Sequence, residues 1–329
     1  MILKRLGAIA LAVILIGGAW LVRDRVIDDD GGGGGSSSGD NDPPPAGREI
    51  VCVTDLREAC DALADTHDDL VIRIVDAGET LDALTELEDP SEAPIWITMA
   101  PLPEMVDDLR AAARTAPMGT QQTTIASSPI ALVVLADRAS ALTAACGNPL
   151  DWHCVGAAAG QSWEEIGGDP SFGLVRPAFA PIESTFGLLG VADAVSGYFG
   201  ASPLQLEDPS FVSWGRRLAR AVPASAVSGP TAIATIQIRA SALDIAVGPA
   251  AELSDTSRSP VTPQYADPMV RADVVVAVPI QTSLPSGLIE DLRRLLITEG
   301  KWDAASTDRN PLPSARDMLA IRSAWELFS

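Results

Sequence analysis

The sequence predicts an α/β fold, and three observations carry that prediction. Short β-branched runs alternate with helix-patterned segments from residue 48 onward. Apolar residues make up 47% of the chain and charged ones 20%, a balance that supports a packed globule rather than a disordered chain. The 329 residues are enough for one large domain or two linked ones.

The first 27 residues read as a membrane anchor with a short cytoplasmic N-terminus. Lys4 and Arg5 precede an uncharged run from Leu6 to Val22. Those residues would reach roughly 26 Å as a helix, the lower limit for a transmembrane span. Basic residues ahead of the run favour a cytoplasmic N-terminus. The competing reading is a cleaved signal peptide, with Gly17 and Ala19 as the small residues before the cut. Apolar character continuing through Trp20, Leu21 and Val22 favours an uncleaved signal-anchor. No cysteine lies here, which excludes a lipid-modified N-terminal cysteine. Either reading places the bulk of the chain outside the cytoplasm. The expected location is therefore the cell membrane, single-pass, with an extracytoplasmic C-terminal module.

Residues 28–47 read DDDGGGGGSSSGDNDPPPAG, a Gly/Ser/Pro linker that cannot bury apolar surface. Strands are expected at Glu49–Val53, Leu70–Val75 and Ile95–Met99, with a helix over Leu56–Ala64. Leu102, Met105, Val106 and Leu109 fall on one face of a further helix. This order implies a parallel sheet with helices on its faces. A buried strand is expected at Ile130–Leu135, followed by a region richer in Gly, Pro, Ser and Ala. That region is expected to hold a strand at Gly173–Arg176 and helices over Phe186–Tyr198 and Phe211–Ala221. Strand character returns at Ala272–Ile280. Of two closing helices, one runs from Leu288 to a stop at Gly300, and the other starts at Ser314, with Asp317 as its capping partner.

The formal net charge is −21, which excludes nucleic acid as a partner because phosphate binding needs clustered Lys and Arg. Four cysteines allow three pairings. Two local bridges, Cys52–Cys60 and Cys146–Cys154, are the simplest choice, since each closes a short loop and an exported module permits disulfides. The spacing does not suit a zinc site. With His67 and His153 as the only histidines and no G-x-S-x-G elbow, a serine hydrolase is not expected, and the chain is read as no enzyme. Neither a P-loop nor a G-x-G-x-x-G occurs, so no cofactor is expected.

In open parallel sheets, ligands bind beyond the carboxyl ends of the strands. Thr54 and Asp55 follow the first strand; Trp96 and Thr98 belong to the third; Ser127 and Ser128 precede the strand at Ile130. Ser184 and Thr185 stand before an apolar helix, where free backbone N–H groups can receive an anion or a ligand hydroxyl. These eight residues are the candidate ligand set.

The segments IASSPIALVVLADRASAL (125–142), WEEIGGDPSFGLVRPAFAPIESTFGLLGV (163–191) and ADVVVAVPI (272–280) resemble extracellular solute-binding proteins of ABC transport systems. Within these, they are similar to the type 2 periplasmic-binding-protein fold of membrane-tethered actinobacterial members. The resemblance implies two discontinuous lobes, 48–130 plus 270–329 and 131–269, with strands near Ile130 and Ala272 crossing between them. It also implies that Ser127 and Ser128 face Ser184 and Thr185 across a cleft. The function it implies is capture of a small polar solute, neutral or weakly anionic, for transport through a membrane permease. The alternative is an adaptor or sensor domain that contacts another cell-surface protein.

Overall fold

The structure is a computed structural model that describes residues 49–200, 202–221, 231–239, 243–253, 260–306 and 310–328. The anchor expected over residues 1–27 and the linker over 28–47 lie outside the described residues. Among the described residues, no helix is long and apolar enough to cross a membrane.

Strand β1 (Glu49–Val53) leads through a 3₁₀ turn at Thr54–Leu56 into α1 (Arg57–Thr66). Next come β2 (Val71–Val75), α2 (Ala77–Glu86), β3 (Ile95–Met99) and α3 (Leu102–Ala112). β1 pairs in parallel with both β2 and β3. This much follows from sequence pattern, because β3 is buried at every position with Thr98 its one polar residue, and α1 and α3 each carry one buried stripe.

β4 (Thr120–Leu135) is the axis of the molecule. It begins ten residues before the strand expected at Ile130. The early half was hidden by its polar surface: Gln121, Gln122, Thr123 and Thr124 are exposed, yet their backbones pair with β8. After β4 come α4 (Ala136–Cys146), α5 (Trp152–Ala158), β5 (Pro177–Ala178), α6 (Thr185–Phe199), α7 (Pro209–Arg220) and α8 (Ala232–Ile238). The strand expected at Gly173–Arg176 is not formed there. Val175 instead exchanges backbone hydrogen bonds with Gly160 and Gln161, and sheet pairing starts only at Pro177. The chain then continues through β6 (Ile245–Pro249), β7 (Val261–Gln264), β8 (Arg271–Pro279), α9 (Leu288–Arg294), β9 (Asp303–Ala304) and α10 (Ala315–Glu326). A π-helical turn at Leu295–Glu299 extends α9 to Gly300.

The strand order is β2-β1-β3-β8-β4-β6-β5, with β7 and β9 also pairing β4. The sheet is mixed, not parallel as the β-α order implied. β8 runs antiparallel to both β3 and β4, because it returns from the second region instead of following a helical crossover. Of the first ten residues of β4, all but Ile125 at a register shift pair β8, and the last six pair β6 and β7. One strand thus belongs to two sheet regions, and the structure has two lobes, the first built on β1–β3 and β8 and the second on β5–β7. α10 packs against α3 of the first lobe and α6 of the second. Its end joins an aromatic cluster, with Trp325 edge-on to Phe179 and Phe328 edge-on to Phe211.

Both local disulfides are present, Cys52–Cys60 tying β1 to α1 and Cys146–Cys154 tying the end of α4 to α5. In the chain-entropy account, each short loop adds roughly 2–3 kcal/mol. The Ser314 cap is also present: its Oγ accepts from the Asp317 N–H and donates to the Asp317 carboxylate.

Candidate functional site

The carboxyl end of β1 points its next residues, Thr54 and Asp55, toward the start of α6 in the other lobe. Ser184 is the N-cap of α6, and its Oγ accepts from the Gly187 N–H at 3.0 Å. The Thr185 N–H donates to Asp55 Oδ2 at 2.8 Å, and the Thr185 hydroxyl donates to the same oxygen. The Phe186 N–H also faces this carboxylate and helps to hold its pKa down. Of the first three N–H groups of α6, that of Thr185 is bonded to Asp55 and that of Gly187 to Ser184. The donors that the sequence left open to a ligand are held by the protein's own carboxylate.

Around this contact stand the acidic Asp76 and Glu252, with the Arg322 guanidinium near Gly78 and Glu183. Thr54 Oγ1 donates to Asp76 Oδ1 at 2.6 Å, and Asp76 directly follows β2. Glu252 follows β6 and accepts from the Thr231 side chain. Burial, more than any other influence, raises the Asp55 pKa above the ordinary carboxylate value. Its bonds to Thr185 and Phe186 pull it down, and the neighbouring Asp76 pushes it further up. Burial likewise pushes Glu252 up to about 7, opposed by Thr231 and reinforced by the charges of Asp55 and Glu58. A second bond across the lobes runs from the Gly78 N–H, at the start of α2, to the Glu183 carbonyl at 3.1 Å.

The other candidates lie elsewhere. Trp96 and Thr98 are 2% and 0% exposed and sit in the core of the first lobe. Trp96 lines a small recess with Leu84, Pro103 and Met118. Ser127 and Ser128 lie inside β4 and not before it, so they are paired strand residues. Successive strand residues face opposite ways, and these two serines have separate partners. Ser127 Oγ donates to Asp273 Oδ1 at 2.5 Å and accepts from Arg271 Nε at 2.7 Å. Arg271 also reaches Asp303, and Asn310 holds Asp273, so Ser127 belongs to a network that pins β4, β8 and β9 together. Ser128 Oγ accepts from the Ala251 N–H at 3.0 Å, which ties the crossing strand to the turn carrying Glu252.

Sequence reasoning missed Asp76 and Glu252. Asp76 satisfies the same strand-end rule that singled out Asp55, so it was within reach. Glu252 was not, because the strand ahead of it, IAVGP, carries Gly and Pro and gives a weak strand signal.

Among the described residues, neither histidine pairs with a serine. His67 Nε2 pairs with Asp291, and the His153 ring lies 4.1 Å from that of Tyr198. Among the described residues, no group of His, Cys, Asp and Glu is arranged to hold a metal ion.

No known protein-family profile and no curated protein matches the chain. Among solved structures, the periplasmic binding protein AfuA from Actinobacillus pleuropneumoniae, with fructose-6-phosphate bound, is similar at 11% identity and a TM-score of 0.52. The match covers 84% of this chain and 96% of that one. The periplasmic binding protein P5PA follows at 12% identity and a TM-score of 0.47, covering 85% and 96% of the two chains. Iron-bound HitA from Pseudomonas aeruginosa has 14% identity and a TM-score of 0.46, covering 84% and 98%. The AfuA likeness, with the strand order above, shows that the chain has the two-lobed fold of a type 2 periplasmic binding protein.

Proposed function

We propose that the chain is a membrane-tethered, extracytoplasmic solute-binding protein that captures a small polar solute between its lobes and delivers it to a permease. One observation carries the reading. Polar groups from strand and helix ends of opposite lobes converge at Asp55 and Thr185, so any molecule admitted there touches both lobes. The tether is the apolar segment Leu6–Val22, and the two disulfides suit an exported module. The acidic lining, with Asp55, Asp76 and Glu252 together, favours a neutral solute over an anion.

A thermal-shift screen of sugars, amino acids and other polar solutes tests this. A ligand that binds only the folded state at a hundredfold excess over Kd adds about 2.7 kcal/mol. A hit that Thr185→Val abolishes, while that variant keeps its own fold, supports the reading. A broad screen without a stabilising compound counts against it.

A second reading, an adaptor acting through protein contact, draws support from two features. α10 packs on both lobes, which restrains their hinge motion. Arg216, Arg217 and Arg220 line an exposed groove of about 450 Å³ beside Gly160 and Gln161, a positive patch on a strongly acidic chain that suits an acidic protein partner. Capture of such a partner that Arg216→Glu abolishes, with no solute found, would favour the adaptor.

A further inference from the structure

We propose that Asp55 is a tethered internal ligand that latches the two lobes together and excludes anions from the start of α6. A helix N-terminus attracts anions because its first N–H groups lack partners and the helix dipole places partial positive charge there. In this chain those positions are filled. Asp55 reaches across from the end of β1 and takes the N–H and hydroxyl of Thr185, with Phe186 contributing, while Ser184 takes Gly187. The next N–H, that of Leu188, is already bonded to the Ser184 carbonyl within the helix. Asp55 thus occupies the place that an outside anion would take.

Three further features make this a built contact and not a chance approach. Asp55 is positioned by the 3₁₀ turn that follows β1, and the Cys52–Cys60 bridge ties the two sides of that turn. Gly187 is fixed in place, since a Cβ there would collide with the Pro181 and Ala180 carbonyls; the turn preceding α6 is therefore packed against the helix. The bond from the Gly78 N–H to the Glu183 carbonyl joins the same two lobes one residue ahead of the Ser184 cap. An anion displacing Asp55 would leave a buried carboxylate beside Asp76 and Glu252, so exchange of one anion for the other is unfavourable. A solute therefore enters either by sparing the latch or by supplying a group that pairs with the freed carboxylate.

The functional meaning of the latch rests on the solute-binding reading, whereas the latch itself can be tested without any solute. The test is amide hydrogen exchange on the full-length chain, wild type against Asp55→Ala, in sodium acetate and in sodium chloride of equal ionic strength. In the variant, exchange at Thr185 and Phe186 should accelerate about tenfold, as expected on losing a hydrogen bond to a charged acceptor. Acetate, a free carboxylate of the same chemistry, should slow those two amides again in the variant and leave the wild type unchanged. Asp76→Ala should leave both amides protected. Should Asp55→Ala not fold, Asp55→Asn serves, since it keeps an acceptor without the charge and should show a smaller acceleration. Unchanged exchange at Thr185 and Phe186 in the variant would overturn the proposal, as would acetate protection of the wild type. A latch so established would stand even if the solute screen found nothing, and a solute hit would stand without the latch.

Discussion

The two lobes bury charge in opposite ways. In the first, Arg110 is fully buried and has no acidic partner among the described residues. Its guanidinium donates instead to the carbonyls of Leu84, Thr85, Leu87 and Ala116, at 2.9, 3.2, 2.7 and 2.5 Å, so it closes the C-terminal end of α2. In the second lobe the buried charges are carboxylates. Asp244 is wholly buried between Arg138 and Arg176, which are 14% and 30% exposed, and Asp193 accepts from the Trp152 indole and the Val270 N–H. Losing Arg110 leaves four carbonyls without their donor, that of Leu84 in a fully buried bond. Losing Asp244 releases two arginines that water can reach in part. The placement of the partners, more than the buried charge itself, decides the cost.

The largest expected effect follows from this contrast. Arg110→Ala should cost about 3–5 kcal/mol, from several orphaned carbonyls and the cavity left behind. Asp244→Asn should cost less, about 1–2 kcal/mol, because its arginines regain hydration. Urea unfolding of both variants measures the difference, and equal losses would break the comparison.

Asp193 sharpens it through pH. Burial raises its pKa to about 7, against the lowering effect of its bonds to Trp152 and Val270. A raised carboxylate pKa means the folded state holds protons that the unfolded chain has released. The corresponding stability is complete below the ordinary carboxylate range and is lost as pH rises through about 7. Glu252, also raised to about 7, acts in the same direction. Between pH 5 and pH 8 each of these two groups should therefore cost the module on the order of 2–3 kcal/mol, about 5 kcal/mol together, read as a falling urea midpoint. Asp193→Asn should flatten that slope. A wild type more stable at pH 8 than at pH 5 would contradict the assignment.

Close packing of helices on indoles marks the second lobe as well. A Cβ at Gly197 of α6 would run into Trp152, and one at Gly156 of α5 into Trp214. Gly197→Ala should cost about 2 kcal/mol by overpacking, despite the better helix propensity of alanine. The smallest effect is expected on the first lobe's side of the cleft. A Cβ at Gly78 would meet Glu183 at 3.5 Å, an ordinary contact, and the bond from its N–H would persist. Gly78→Ala should be neutral or stabilise by roughly 0.5 kcal/mol, and a loss above about 1 kcal/mol would show that the lobes meet more tightly there.

Much of the first lobe was legible, and the reason is local. β1, β3 and α3 carry undiluted periodicities, so their bounds follow from apolar spacing. Less of the second lobe was readable. β5 is two residues long, β6 ends in Gly-Pro, and the segment before β5 bonds to Gln161 rather than to the sheet. Of the candidate site, the strand-end rule reached Thr54 and Asp55, and the capping rule reached Ser184 and Thr185. The same strand-end rule assigned Trp96 and Thr98 to the site, although they face the core. It also treated Ser127 and Ser128 as loop residues, although the strand continues through them.

By itself the sequence determined the α/β class, the local disulfide pairs and the helix caps at Ser184 and Ser314, because each depends on residues near one another along the chain. Only the tertiary structure decided that Asp55, 130 residues before Thr185, closes the end of α6. It also decided that β8 returns antiparallel and that Ser127 joins Arg271 and Asp273. These are pairings between distant segments. No local pattern encodes them, since a carboxylate or a hydroxyl looks the same in sequence whether its partner is solvent, solute or another part of the fold.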